Sequence, residues 1–232
     1  MKLPFILALL LLLFSITGVS VAGIYVDKYV YPDSESYSFS WIPDIDPGSR
    51  QIKLTLPQNK KVVISPTGPF QSLSFGREDM PSIEDLERLF PIGRYRARGI
   101  QKRQTPPDIL VSYDFPSIPE ITYPENGSNN IPTSFQITWL PLSDPGEDIQ
   151  VSIQDADDNE VSPAFMGVVK QLSSTTTSVD IPPGVLHPGR NYRLAIKNGK
   201  EGLGVTGENG GDLDIATIRV LFFSTALLGS VE

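Results

Sequence analysis

Along most of this chain the hydrophobic positions recur every second residue, in short runs separated by turn formers. An extended backbone points successive side chains to opposite sides, so period two predicts strands with one buried face. Gln51-Ile52-Lys53-Leu54-Thr55-Leu56 alternates cleanly, and Lys61-Val62-Val63-Ile64 follows the polar Gln58-Asn59-Lys60, which predicts a hairpin. Upstream, Tyr25 to Tyr31 and Ser36 to Trp41 read as strands, and Asp46-Pro47-Gly48 as a turn. One short helix interrupts the pattern. Ser82 follows Pro81 in capping position, Asp85 stands three residues on, and Ile83, Leu86, Leu89 and Phe90 share a face until Pro91 ends it. Strand character resumes in Arg94-Tyr95-Arg96-Ala97-Arg98, where alternation sets three Arg on one side, and again in Asp108 to Phe115.

Pro116, Pro119, Pro124 and the turn-prone Asn126-Gly127 break the chain next, and the domain boundary is placed near Pro116. Beyond it come Glu120 to Tyr123, Phe135 to Leu140, Ile149 to Gln154, Val161 to Gln171, Thr177 to Ile181, Tyr192 to Lys197 and Ile215 to Ser224. Seven strand-like runs over about 110 residues is the spacing of an immunoglobulin-like β-sandwich. Leu186-His187-Pro188-Gly189-Arg190-Asn191-Tyr192 adds the elements of a tyrosine corner: an apolar residue, a Pro-Gly turn and a Tyr whose ring packs inward while its OH bonds nearby backbone.

The second half resembles a fibronectin type III domain. The residues that carry the resemblance are Pro116-Ser117-Ile118-Pro119-Glu120-Ile121 at the entry, Ile137-Thr138-Trp139-Leu140-Pro141 with a Trp in the second strand, and the corner from Leu186 to Tyr192. The first half, through Leu86-Glu87-Arg88-Leu89-Phe90-Pro91-Ile92-Gly93-Arg94-Tyr95, is similar to a small β domain that precedes such modules in uncharacterised secreted bacterial proteins. The expected class is all-β: a leader over residues 1–22, a smaller N-terminal β domain with one short helix over 23–116, and a seven-stranded fibronectin-III-like sandwich over 117–232.

The leader rests on Lys2, the apolar run from Pro4 to Ile16, and the small Ser20 and Ala22 flanking Val21, with cleavage expected after Ala22. The run is shorter than the roughly 20 residues a spanning helix needs, so no membrane span is expected after cleavage. The implied location is extracellular, or periplasmic in a Gram-negative cell. The chain holds no Cys, which excludes disulfides, thiolate metal sites and lipobox acylation. Residues 23–116 carry 12 Lys plus Arg against 12 Asp plus Glu, and residues 117–232 carry 6 against 15; with Lys2 the total is −8. That acidity argues against nucleic acid as a partner, because phosphate recognition needs a basic footprint.

Candidate chemistry is sparse. His187 is the one histidine and sits inside the corner turn, leaving a Ser-His-Asp triad or a His-rich metal site little to build on. Asp44, Asp46, Glu78, Asp79, Asp155, Asp157, Asp158 and Glu160 lie in turn-rich stretches where a glycosidase could find two acids, and where solvated loop charges are the plainer reading. Asp155-Ala156-Asp157-Asp158-Asn159-Glu160 offers alternating oxygens that suit calcium, but lacks the Gly at the sixth position and the Glu at the twelfth. Gly202-Leu203-Gly204-Val205-Thr206-Gly207 spells a dinucleotide fingerprint without the strand and helix around it; its glycines read instead as a mobile loop from Asn198 to Asp214, the leading contact candidate. The stripe of Arg94, Arg96 and Arg98, with Lys102 and Arg103 beyond, could grip an acidic polysaccharide, pair with the acidic second half, or stay a solvated face that discourages edge pairing. Asn126-Gly127-Ser128 is a glycosylation sequon and, more simply, a turn.

These observations point to a secreted, non-enzymatic binding or spacer protein without cofactors, whose partner is a protein or polysaccharide at the cell exterior. The alternatives are a carbohydrate binder that stacks sugars on Tyr25, Tyr29, Tyr31, Tyr37 and Trp41, and a polysaccharide hydrolase.

Overall fold

The computed structural model describes residues 23–42, 52–64, 75–98, 108–155, 170–203, 205–206 and 212–227; the expected leader lies outside them. The first half forms β1 (Gly23–Val30), β2 (Glu35–Ile42), β3 (Ile52–Thr55), β4 (Lys61–Ile64), β5 (Phe75–Met80), α1 (Ile83–Leu89), β6 (Gly93–Arg98) and β7 (Asp108–Val111). The second half forms β8 (Ile121–Tyr123), β9 (Ser128–Ile131), β10 (Phe135–Trp139), β11 (Asp148–Asp155), β12 (Lys170–Ser173), β13 (Ser178–Ile181), β14 (Asn191–Leu203), β15 (Val205–Thr206) and β16 (Asp212–Thr225).

In the second half a three-stranded sheet, β13-β10-β8, faces the strands β12-β11-β14-β16. Ile137, Trp139, Val179 and Ile181 from the first meet Ile149, Val151, Ile153, Leu194, Ile196, Leu221 and Phe223 from the second in one buried cluster. Three strands against four, joined by a tyrosine corner, make the all-β fibronectin-III-like sandwich that the spacing predicts. Short β9 runs parallel to β16 beside it.

The first half is also two-layered. Sheet β15-β7-β6-β3-β4 supplies Leu54, Tyr95, Ile109 and Val111, while β1 and β2 supply Ile24, Val26, Phe39 and Trp41. Helix α1 closes one side with Leu86, and the ring of Phe90, the residue that caps its C-terminus, stacks on Phe39 at 4.1 Å. The expected cap is present, with the Asp85 N–H donating to Ser82 Oγ at 3.1 Å. Each large apolar side chain buried in this way contributes roughly 1.5–3 kcal/mol of transfer free energy before entropy is charged against it.

The two cores share a sheet. Its strand order is β12-β11-β14-β16-β1-β2-β5, and β1 lies parallel to β16 from Gly23 opposite Asp212 to Val30 opposite Arg219. Strand β16 therefore crosses the boundary expected near Pro116: Leu213 and Ile215 pack into the first core, Leu221 and Phe223 into the second. Parallel pairing demands a long crossover, and here almost the whole chain lies between the two partners.

Candidate functional site

The corner stands as its spacing implies. Tyr192 is buried with its ring stacked on Phe223 at 5.6 Å, and its OH accepts the His187 N–H at 2.7 Å. Burial pushes the phenol pKa upward. His187 contributes backbone: its carbonyl accepts Thr225 Oγ1 at 2.6 Å, while the residue itself is exposed.

The described residues between Asn198 and Asp214 lie in paired strands and not in the free contact loop expected of the glycines. Strand β14 continues to Leu203 and β16 already begins at Asp212, while Val205 and Thr206 pair with Ile109 and Asp108 of β7. The cause is hydrogen-bonding demand and burial: the hairpin finds ladder partners in the first unit and packs Leu203 against its core. Gly202 adopts φ 66°, exposed, and donates its N–H to Asp214 Oδ1 at 3.1 Å; Gly204 and Gly207 lie outside the described residues.

What this stretch builds is a polar junction. Asn198 is fully buried; its Nδ2 donates to the carbonyls of Ser117 at 2.9 Å and Asp144 at 3.2 Å, and its Oδ1 accepts the Gly146 N–H at 2.7 Å. Thr217, also fully buried, donates Oγ1 to the Pro116 carbonyl at 2.7 Å. Lys200 reaches Asp144 at 2.8 Å and Asp114 at 3.7 Å, and the Asp144 bond, followed by the two carboxylate charges, outweighs desolvation and raises its pKa. The linker at residues 114–117 is thus held from both long strands. Alternation could have found it, since Tyr192, Leu194, Ile196 and Asn198 fall on one face and the last needs buried partners.

The described part of the arginine stripe, Arg94 and Arg96, is outward. Arg94 and Arg96 are exposed on β6, and both turn to one acid: Arg94 Nη1 and Arg96 Nε each lie 3.3 Å from Asp108. Pairing with the acidic second half is therefore not what the two exposed guanidiniums do. The acid they meet is their neighbour on β7, because register sets Arg96 opposite Asp108. Arg98 stands opposite Lys53 in the ladder; Lys102 and Arg103 lie outside the described residues.

The aromatic candidates for sugar stacking fare differently. Trp41 is 0 % exposed and Tyr37 6 %, packed in the first core, so neither offers a ring face. Their alternate positions on β2 face the second layer, so core packing accounts for both rings. Tyr25, Tyr29 and Tyr31 are half-buried, and Tyr29 stacks on Tyr31 at 6.4 Å. Of the acids, Glu78 and Asp79 are exposed on edge strand β5, and Asp155 is half-buried at the end of β11. Asp44, Asp46, Asp157, Asp158 and Glu160 lie outside the described residues, among which no three His, Cys, Asp or Glu gather as metal ligands would. Two carboxyls that the sequence does not single out have raised pKa values. Burial lifts Asp27 against the charge of Lys197 and a bond from Ser38, and desolvation followed by the charges of Asp148 and Asp214 lifts Glu201.

No protein-family model matches this sequence, and no curated protein matches it. Similar solved structures include a two-domain fibronectin type III segment of chicken tenascin, at 16 % identity and TM-score 0.25, covering 80 % of this chain and 92 % of that one. The FN1–FN3 domains of chicken CNTN1 match at 11 % identity and TM-score 0.25, covering 86 % of this chain and 64 % of that one. The BSP domain of a biofilm-associated protein matches at 12 % identity and TM-score 0.25, covering 91 % of this chain and 30 % of that one. The fibronectin-III-like fold of the second unit is read from its own strand order and corner.

Proposed function

We propose that this chain is an exported, non-enzymatic spacer and binding protein in which two sandwiches act as one stiff body. The observation that carries the reading is that β14 and β16 serve both cores, while Asn198, Thr217 and Lys200 pin the linker between them. Domains joined only by a linker move relative to one another by default; two long shared strands remove that freedom. Stiffness is what a spacer needs, and it also presents the outer faces of both units in a fixed relation.

The test uses the absence of cysteine. Spin labels at Glu87→Cys on α1 and Asp180→Cys on β13, both exposed positions, report the distance between the units by pulsed electron resonance. A single narrow distribution is expected. A broad one, with the protein folded, defeats the stiff-spacer reading.

A further inference from the structure

The outer face of the sheet β15-β7-β6-β3-β4 is a surface rich in cations. Register lines its residues up in rows across the strands: Lys61, Thr55, Arg96 and Asp108 in one, Val63, Lys53 and Arg98 in the next, Arg94 and Leu110 in a third. Alternation sends Leu54, Tyr95 and Ile109 into the core and leaves Lys53, Lys61, Arg94 and Arg96 exposed. Residues 52–64 hold three Lys and no acid, and residues 93–98 three Arg and no acid, in a chain of net charge −8. Neighbouring strands stand about 4.8 Å apart and alternate residues about 6.8 Å apart along a strand, so the cations form a two-dimensional grid.

We propose that this face binds a linear acidic polysaccharide bearing carboxylates on its rings. Asp108 shows the chemistry in place, because its one carboxylate is shared by the guanidiniums of Arg94 and Arg96 at 3.3 Å each. That planar, charge-assisted recognition is what a uronate carboxylate would receive from the same groups. Val63 and Leu110, each about half exposed, stand among the cations and offer apolar contact to the C–H faces of sugar rings. The surface suits a membrane less well: among its described residues the exposed apolar ones are Val and Leu, with none of the Trp or Phe that anchor a protein at a lipid interface. Single-stranded nucleic acid is disfavoured because, among its described residues, this face holds no exposed aromatic ring on which a base could stack. The proposal goes beyond the spacer reading and does not depend on it, since spin-label distances and ligand titration report on different residues.

The decisive experiment is calorimetric titration of the full chain with polygalacturonate, with dextran, a DNA oligonucleotide and phosphatidylserine vesicles as comparison probes. Binding to polygalacturonate is expected, weakening about tenfold or more between 50 and 200 mM salt as ions compete for the cations. Arg94→Ser with Arg96→Ser should weaken it about tenfold or more, with the denaturation midpoint confirming the fold. Asp108→Asn, which frees both guanidiniums from their internal carboxylate, should tighten binding several-fold, an effect that a purely structural stripe would not produce. The proposal is overturned by no binding to polygalacturonate, by equal binding to dextran, by preference for DNA or vesicles, or by an Asp108→Asn variant that binds no more tightly.

Discussion

Asn198 and Arg96 are both polar residues inside β-strands of a two-layered unit, and both belong to stretches whose composition suggests contact with a partner. Asn198 falls on the inward side of β14 and is fully buried, with three main-chain partners. Arg96 falls on the outward side of β6, is exposed, and meets one acid that is itself near solvent. The difference is one step of alternation, and it decides everything about energetics. A buried polar group that satisfies backbone donors and acceptors becomes part of the scaffold, because removing it strands those groups in the interior. An exposed ion pair is worth little to the fold and stays available to a ligand.

Substitutions can sharpen or break that contrast. The largest effect is expected at Gly146, where an added Cβ would sit 2.0 Å from the Gly199 carbonyl oxygen and 2.8 Å from Asn198 Oδ1. Gly146→Ala should lower unfolding free energy by about 3 kcal/mol or more, read by denaturant titration, since backbone rather than a flexible side chain must give way. Asn198→Ala should cost about 2–3 kcal/mol by leaving the Ser117 and Asp144 carbonyls and the Gly146 N–H without their partner. Tyr192→Phe removes the acceptor of the His187 N–H and should cost about 1 kcal/mol or somewhat more. Arg96→Gln should change stability by less than about 0.5 kcal/mol, as expected of a surface pair. A large loss at Arg96, or none at Asn198, would collapse the distinction between the two regions.

Much of the fold was legible from local pattern, because strand pairing inside each unit follows alternation and turn chemistry. The β3–β4 hairpin, the Ser82 cap and the corner at Tyr192 each depend on residues close in sequence. Strand β5 was not legible: Gly76-Arg77-Glu78-Asp79 carries no alternation, and it becomes a strand because β2 has an open edge to fill. The irregularity shows in its register, which shifts between Tyr37 and Phe39 while Asp79 takes φ 57°. The extension of β14 past Lys197 was equally hidden, since Asn198-Gly199-Lys200-Glu201-Gly202 reads as a turn-rich loop until a distant strand supplies its partner. Trp41 illustrates the reverse error. Its aromatic character suits a sugar platform, and only the second layer above β2 shows that the ring is filled space.

The parallel pairing of β1 with β16 has a mechanical side. Gly23 lies at one end of that ladder and the chain leaves β16 at the other, beyond Thr225. Tension applied between those two points does not peel the strands apart one bond at a time; it slides them past each other, so every bond in the eight-residue register is loaded together. Pulled instead between the β1–β2 turn at Asp33 and Leu227, both exposed, the same pair is opened from one end. Single-molecule stretching through cysteines placed at those sites should need a higher force in the first geometry than in the second, making the direction of load a property of this sheet.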